Sequence, residues 1–173
     1  MAEEIHLVPY DPGWPEKYAV ERDVVVSCLI RPPLLIEHMG STSVPGIVAK
    51  PVIDIIVLLA DLADGHAAVP ALEASGYSFW RDNPDKSKLY LVRGLPNRTH
   101  NLHLHADAEE VRRHLLFRDR LRADPAARDA YQALKQELAI RYRRDREAYS
   151  KAKTAFVDGI VAEAGGAPRS LAW

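Results

Sequence analysis

Short apolar runs dominate the first two thirds of the chain, and a longer helical rhythm dominates the last third. Leu34-Leu35-Ile36, Val52-Ile53 with Ile55 to Leu59, and Leu89-Tyr90-Leu91-Val92 are each bounded by proline, glycine or polar turn formers. Runs of that length and setting read as strands. Strands are therefore expected over 34–38, 52–59, 77–81, 88–93 and 99–106. The last of these, Thr99-His100-Asn101-Leu102-His103-Leu104-His105-Ala106, alternates with period two. Asn101, His103 and His105 then share one face, and Leu102, Leu104 and Ala106 the other.

Punctuation marks the helices. Tyr10-Asp11-Pro12-Gly13-Trp14-Pro15 is dense in turn formers and opens a helix over 16–29, which Arg31-Pro32-Pro33 stops. A second helix over 66–75 is closed by Gly76. After residue 107 only helical spacing remains, predicting helices over 108–122, 125–143 and 150–164. Asp124-Pro125 supplies a capping acid followed by proline at a favoured first position. The order of elements predicts an α+β fold: a mixed sheet with flanking helices and a helical C-terminal part over about 108–164. A single domain over 1–165 is expected, with 166–173 as a loose tail.

Composition narrows the function classes. The 173 residues are 47% hydrophobic and 27% charged, ordinary for a globular domain. Lys and Arg total 23 against 24 for Asp and Glu, so no net field draws in a long nucleic acid or an anionic membrane. A small phosphorylated ligand needs only a local positive pocket. The single cysteine, Cys28, rules out an intrachain disulfide and a multi-cysteine zinc site. No apolar run reaches membrane-spanning length and the N-terminus does not resemble a signal peptide, so a cytoplasmic location is expected.

Candidate chemistry concentrates in Glu37-His38-Met39-Gly40-Ser41-Thr42-Ser43-Val44-Pro45-Gly46 and the following strand with Asp54. Gly40 allows close backbone approach, and the hydroxyls of Ser41, Thr42 and Ser43 can donate to a phosphate. The same residues also suit a simple capped turn. Asp54 lies inside an apolar run, where an unpaired carboxylate is costly unless it meets a cation, metal or substrate. His103 and His105 can ligate a metal, stabilise charge or move protons, although a solvated strand face would look the same. Arg118 and Arg122 align with the apolar stripe of Val111 and Leu115, and Lys153 is the one charge on a face with Tyr149, Phe156, Val157 and Ile160. Each of these cations either snorkels to water or meets an anion. Lys50, at the entry to the Asp54 strand, is a further candidate phosphate partner. Glu37, His38 and Tyr149 complete the candidate pocket.

Ile36 to Gly46 with Lys50-Pro51-Val52-Ile53-Asp54-Ile55 resembles the signature of the GrpB family. Val8-Pro9-Tyr10-Asp11-Pro12-Gly13-Trp14, His100 to Leu104, His114 to Arg122 and Tyr149 to Thr154 extend the resemblance over nearly the whole chain. The resemblance implies a nucleotidyltransferase fold of the DNA polymerase β type. Met39-Gly40-Ser41 matches that fold's glycine–serine turn, and Asp54, separated from Ser41 by twelve residues, matches its first acid. The second acid position holds Ile56, and the His103/His105 strand stands where a third acid belongs. The resemblance thus implies a nucleotide or other phosphorylated ligand, with Mg²⁺ or Mn²⁺ on Asp54 and nucleotidyl transfer if the acid set suffices. The phosphates would lie on Gly40 and Ser41, with Lys153 and Arg118 as clamps. Two alternatives use the same residues: metal-free acid–base chemistry of a cyclase or dehydratase kind, and ligand binding without catalysis.

Overall fold

A computed structural model of the chain describes residues 4–169. Helix α1 (Trp14–Cys28) leads into β1 (Leu35–Met39), a single 3₁₀ turn (Ser41–Ser43) and β2 (Ile53–Leu58). Next come α2 (Leu62–Ala74), β3 (Tyr77–Phe79), β4 (Lys88–Arg93) and β5 (His100–His105). The chain then turns helical: α3 (Ala108–Ala123), α4 (Pro125–Arg141), α5 (Arg146–Ala152) and α6 (Thr154–Glu163). The strands form one sheet in the order β1-β2-β5-β4-β3. Only β2 and β5 run parallel; the other pairs are antiparallel, so the sheet is mixed as expected for the α+β class.

Alternation along the strands gives the sheet two different faces. Ile53, Ile55 and Val57 join Leu89, Leu91, Leu102 and Leu104 in the main core, which also takes in Val25 of α1 and Val69 and Leu72 of α2. The opposite face carries Asp54 and Ile56 on β2, with Asn101, His103 and His105 on β5. There Met39 and Ile56 pack with Val111, and with the half-buried Leu35, Leu58 and Leu115. The histidine face is consequently not solvated: α3 covers it, and His105 is only 1% exposed.

The helical part closes over the loop between β1 and β2. Val44 and Ile47 of that loop pack with Leu121 and Tyr131, flanked by Phe117, Phe156 and Val157. Gln132 of α4 accepts from the Val48 amide at 2.9 Å, and Lys135 Nζ donates to the Val48 carbonyl. Both backbone groups of one loop residue are therefore satisfied by one helix face, which fixes the approach to Lys50.

Several boundaries differ from expectation. Helix α2 starts at Leu62 rather than near residue 66, capped by Asp61, which accepts from the Ala63 amide at 2.8 Å. Gly65 lies inside this helix; a Cβ there would come within 2.9 Å of a Leu89 methyl, so the close packing against the sheet favours glycine. The strand expected over 77–81 ends at Phe79, and α4 ends at Arg141 rather than 143. The helix expected over 150–164 is two helices meeting at Lys153, and Asp145 caps the first by accepting from the Ala148 amide. Of the expected loose tail, residues 166–169 are tied down. Gly166 donates to the Val161 carbonyl, Arg113 donates to the Ala167 carbonyl, and Arg169 pairs with Asp158. Residues 170–173 lie outside the described residues.

Candidate functional site

Asp54 is the second residue of β2, between Met39 on β1 and Asn101 on β5. Asn101 Nδ2 donates to Asp54 Oδ1 at 2.6 Å. Asn101 Oδ1 accepts from the Tyr90 hydroxyl at 2.8 Å and from Arg98 at 3.4 Å, and Arg98 also donates to the Tyr90 hydroxyl at 2.9 Å. The carboxylate is thus the end of a fixed polar chain across three strands. Burial pushes the Asp54 carboxyl up; the Asn101 amide and the charges of Lys50, Lys153 and Arg146 oppose this without cancelling it.

The loop meets that carboxylate through Gly40. Its φ of 71° and ψ of −173° belong to a region that is essentially glycine-only, and a Cβ there would overlap Asp54 Oδ2. The neighbouring hydroxyls are not the phosphate donors that the sequence suggests. Ser43 Oγ donates to the Gly40 carbonyl at 2.6 Å, and Thr42 Oγ1 lies 2.9 Å from His38 Nε2. These two hydroxyls brace the turn. Ser41 instead acts on the Tyr131 hydroxyl, on the α4 side.

That side is crowded with cations. Lys153 Nζ sits 4.1 Å from the centre of the buried Tyr149 ring, and Lys50 Nζ sits 5.5 Å from it. Burial, then the charges of Lys50 and Lys135, push the Lys153 amine down to about 7. Lys135, 1% exposed, lies 5.0 Å from the Tyr131 ring centre, and burial pushes it to about 7 as well. Arg146 acts on both Asp54 and Lys153. Lys50, Lys153 and Arg146 therefore act on a single carboxylate, and Lys135 acts in turn on Lys153.

Other candidates stand elsewhere. Arg118 Nη1 donates to Glu37 at 2.7 Å and to the His38 carbonyl at 3.0 Å, while Arg122 Nε donates to the Ser43 carbonyl at 2.9 Å. Rather than clamping phosphate beside Asp54, these arginines fasten α3 to β1 and its turn. Glu37, His38, Ser43 and Arg122 line a different cavity. His103 and His105 pair with Ile56 and Leu58, further along the sheet than Asp54. With His114 of α3 they form a cluster whose ring centres are 6.2–6.5 Å apart. Burial holds all three imidazoles neutral, lowering His105 to about 4 and His114 to about 3. Only the Tyr90 ring, 4.8 Å from His103, links this cluster to the Asp54 chain.

The donor set around Asp54 does not fit Mg²⁺ or Mn²⁺. These ions take oxygen ligands, whereas Asp54 has an amide and several cations for neighbours. Ile56, at the second acid position, is fully buried in apolar contacts. Among the described residues, no group of three or more His, Cys, Asp or Glu side chains could hold a metal ion. No helix among them is long and apolar enough to cross a membrane.

Sequence reading missed Asn101 as a partner of Asp54, and missed Tyr90, Arg98, Lys135, Arg146 and Tyr131 altogether. A signal existed for Lys135: it lies on one helical stripe with Tyr131 and Leu138, the pattern that drew attention to Lys153.

Residues 4–163 match the family model described as GrpB protein. A UPF0157 protein of Pseudomonas aeruginosa is 42% identical over 171 residues, covering 96% of this chain and 70% of that protein. The crystal structure of the conserved protein GrpB from Enterococcus faecalis superposes with a TM-score of 0.84 at 34% identity, over 92% of this chain and 96% of that one. A dephospho-CoA kinase of Mycolicibacterium paratuberculosis is 30% identical over 175 residues, covering 86% of this chain but 43% of the kinase. The family match spans almost every described residue, from the segment before α1 to the end of α6, and the chain belongs to the GrpB family.

Proposed function

We propose that the protein binds a small phosphorylated metabolite, nucleotides included, between the β1–β2 loop and α5–α6, and that the site is built for metal-free acid–base chemistry. The observation that carries this reading is the convergence of Lys50, Lys153 and Arg146 on one carboxylate, with Lys135 acting on Lys153 and both of these lysines pushed down to about 7. Cations held together in a buried place repel one another, and a doubly charged phosphate relieves that repulsion. Lys153 and Asp54 have amine and carboxyl groups shifted toward each other, the arrangement that suits one group to take a proton and the other to give one near neutral pH. Lys50 and Arg146 would hold the phosphate, and Asn101 would keep the Asp54 carboxylate aimed. The similarity to part of a kinase named for dephospho-CoA, itself a phosphorylated nucleotide metabolite, favours the same ligand class.

A thermal-shift panel of nucleotides and phosphate monoesters in the presence of EDTA tests this. A ligand at 100 times its dissociation constant adds about 2.7 kcal/mol. For a chain of this size that corresponds to roughly 5–10 °C in Tm. A panel in which nothing shifts Tm, or in which triphosphates shift it only with Mg²⁺ or Mn²⁺, refutes the metal-free reading; the second outcome supports nucleotidyl transfer instead.

A further inference from the structure

The 3₁₀ turn that touches Asp54 through Gly40 borders a separate hollow through Ser43. Behind it lies a groove of about 450 Å³, walled by Tyr10, Pro15 and Tyr18 on one side and by Pro45 on the other. Arg122 and Arg128 reach into it from the end of α3 and the first turn of α4. No residue of this groove belongs to the Asp54 pocket described above, so the inference does not depend on the phosphate reading.

Two features define what the groove accepts. The walls are rigid and flat. Tyr10 packs edge-on against Trp14 at 5.2 Å, and Tyr18 is stacked on His38 at 4.9 Å with 10° between the rings. The Tyr18 hydroxyl is spent on the Ile36 carbonyl, 3.1 Å away, so this residue presents its ring rather than a donor. The rim is cationic and incompletely neutralised. Glu37 is already taken by Arg118 at 2.7 Å, and Arg122 has Asp119 only at 3.7 Å. Among the described residues no ion pair takes up Arg128. Burial and the neighbouring Arg118 lower the proton affinity of Arg122, and the carboxylates of Asp119 and Glu37 oppose this without cancelling it.

We propose that this groove is a second ligand site, which takes a flat ring bearing one phosphate or carboxylate group. The ring lies against Tyr10, Tyr18 and the prolines, and the oxyanion is held by the Arg122 and Arg128 guanidinium groups. Ser43 belongs to this groove while Gly40 belongs to the Asp54 pocket, so one short turn forms the common wall of two ligand sites.

Residue-resolved NMR titration of the full chain with phenyl phosphate tests the assignment. Resonances of Tyr10, Tyr18, Gly46 and Arg128 should move together and saturate. Benzyl alcohol, which has the ring without the charge, should bind at least tenfold more weakly. Arg128→Glu should weaken phenyl phosphate at the groove by tenfold or more, and Arg128→Gln, which keeps a good helix former, by a smaller factor. The proposal is overturned if phenyl phosphate moves only resonances near Lys153 and Tyr149, or none. It is equally overturned if benzyl alcohol binds as well, or if neither Arg128 variant changes the groove affinity. Inorganic phosphate added to the same sample reports separately on Ser41, Tyr149 and Lys153, so failure of one site is distinguishable from failure of the other.

Discussion

Lys153→Met is expected to lower the affinity for a phosphate monoester by roughly 10- to 100-fold, the loss of a charged hydrogen-bonding partner worth about 1.5–3 kcal/mol. The same substitution should make the ligand-free protein more stable. The Lys153 amine falls from its ordinary 10.5 to about 7 on folding, so the folded state binds protons less well than the unfolded chain. Stability therefore decreases as pH falls through that window, and near neutral pH the buried amine is a net cost. Methionine fills a similar volume without charge, and replacing a buried, poorly paired ion in this way commonly gains about 1–4 kcal/mol. We expect the lower end, a Tm higher by about 2–5 °C, because Tyr149 compensates part of the charge through its ring. Thermal denaturation and ligand titration of the two proteins check both signs. A variant that loses stability while keeping its affinity would show Lys153 to be a packing residue.

Gly40→Ala should cost about 3 kcal/mol or more in urea unfolding and should also disable the Asp54 pocket. Two penalties add. A non-glycine residue in this backbone region costs on the order of 1–3 kcal/mol. The added methyl must also displace the Asp54 carboxylate, an overpacking that costs about 1–3 kcal/mol. Displacement would break the 2.6 Å bond from Asn101, so the loss of ligand binding should exceed what instability alone explains. Stability within about 0.5 kcal/mol of the parent would mean that the turn has room to rearrange. Gly46 makes a useful contrast. Its φ of 86° is also positive, but a methyl added there would meet nothing within 4 Å, so alanine would bring only the backbone term.

The sheet was legible because its signals are local. Period-two alternation in 99–106 gave both the strand and its two faces, and Asp54 stood out as the lone acid in an apolar run. What one strand cannot reveal is its neighbour. The pairing of Asp54 with Asn101 depends on the parallel register of β2 and β5, two strands separated by α2, β3 and β4. Similarly, Arg118 and Lys153 carry the same sequence signal, a cation on an apolar stripe, yet reach different surroundings. Arg118 meets Glu37 and a carbonyl, whereas Lys153 meets an aromatic ring and other cations. The hydroxyls of Thr42 and Ser43 misled for a related reason. Ser43 turns back onto the Gly40 carbonyl and Thr42 meets the His38 imidazole, whereas Ser41 acts on Tyr131 of α4.

In the proposed site a phosphate anion is received by a lysine that, above pH 7, is mostly uncharged before it arrives. Calorimetric titration of a phosphate monoester at pH 8 with EDTA, in two buffers of different ionisation enthalpy, measures this directly. The monoester, with a second pKa of about 6, is already a dianion at that pH. The account predicts uptake of roughly 0.5–1 proton per ligand bound, because the dianion raises the Lys153 pKa from about 7 toward its ordinary value. Binding with no proton uptake, or binding that appears only when Mg²⁺ or Mn²⁺ is supplied, would contradict it.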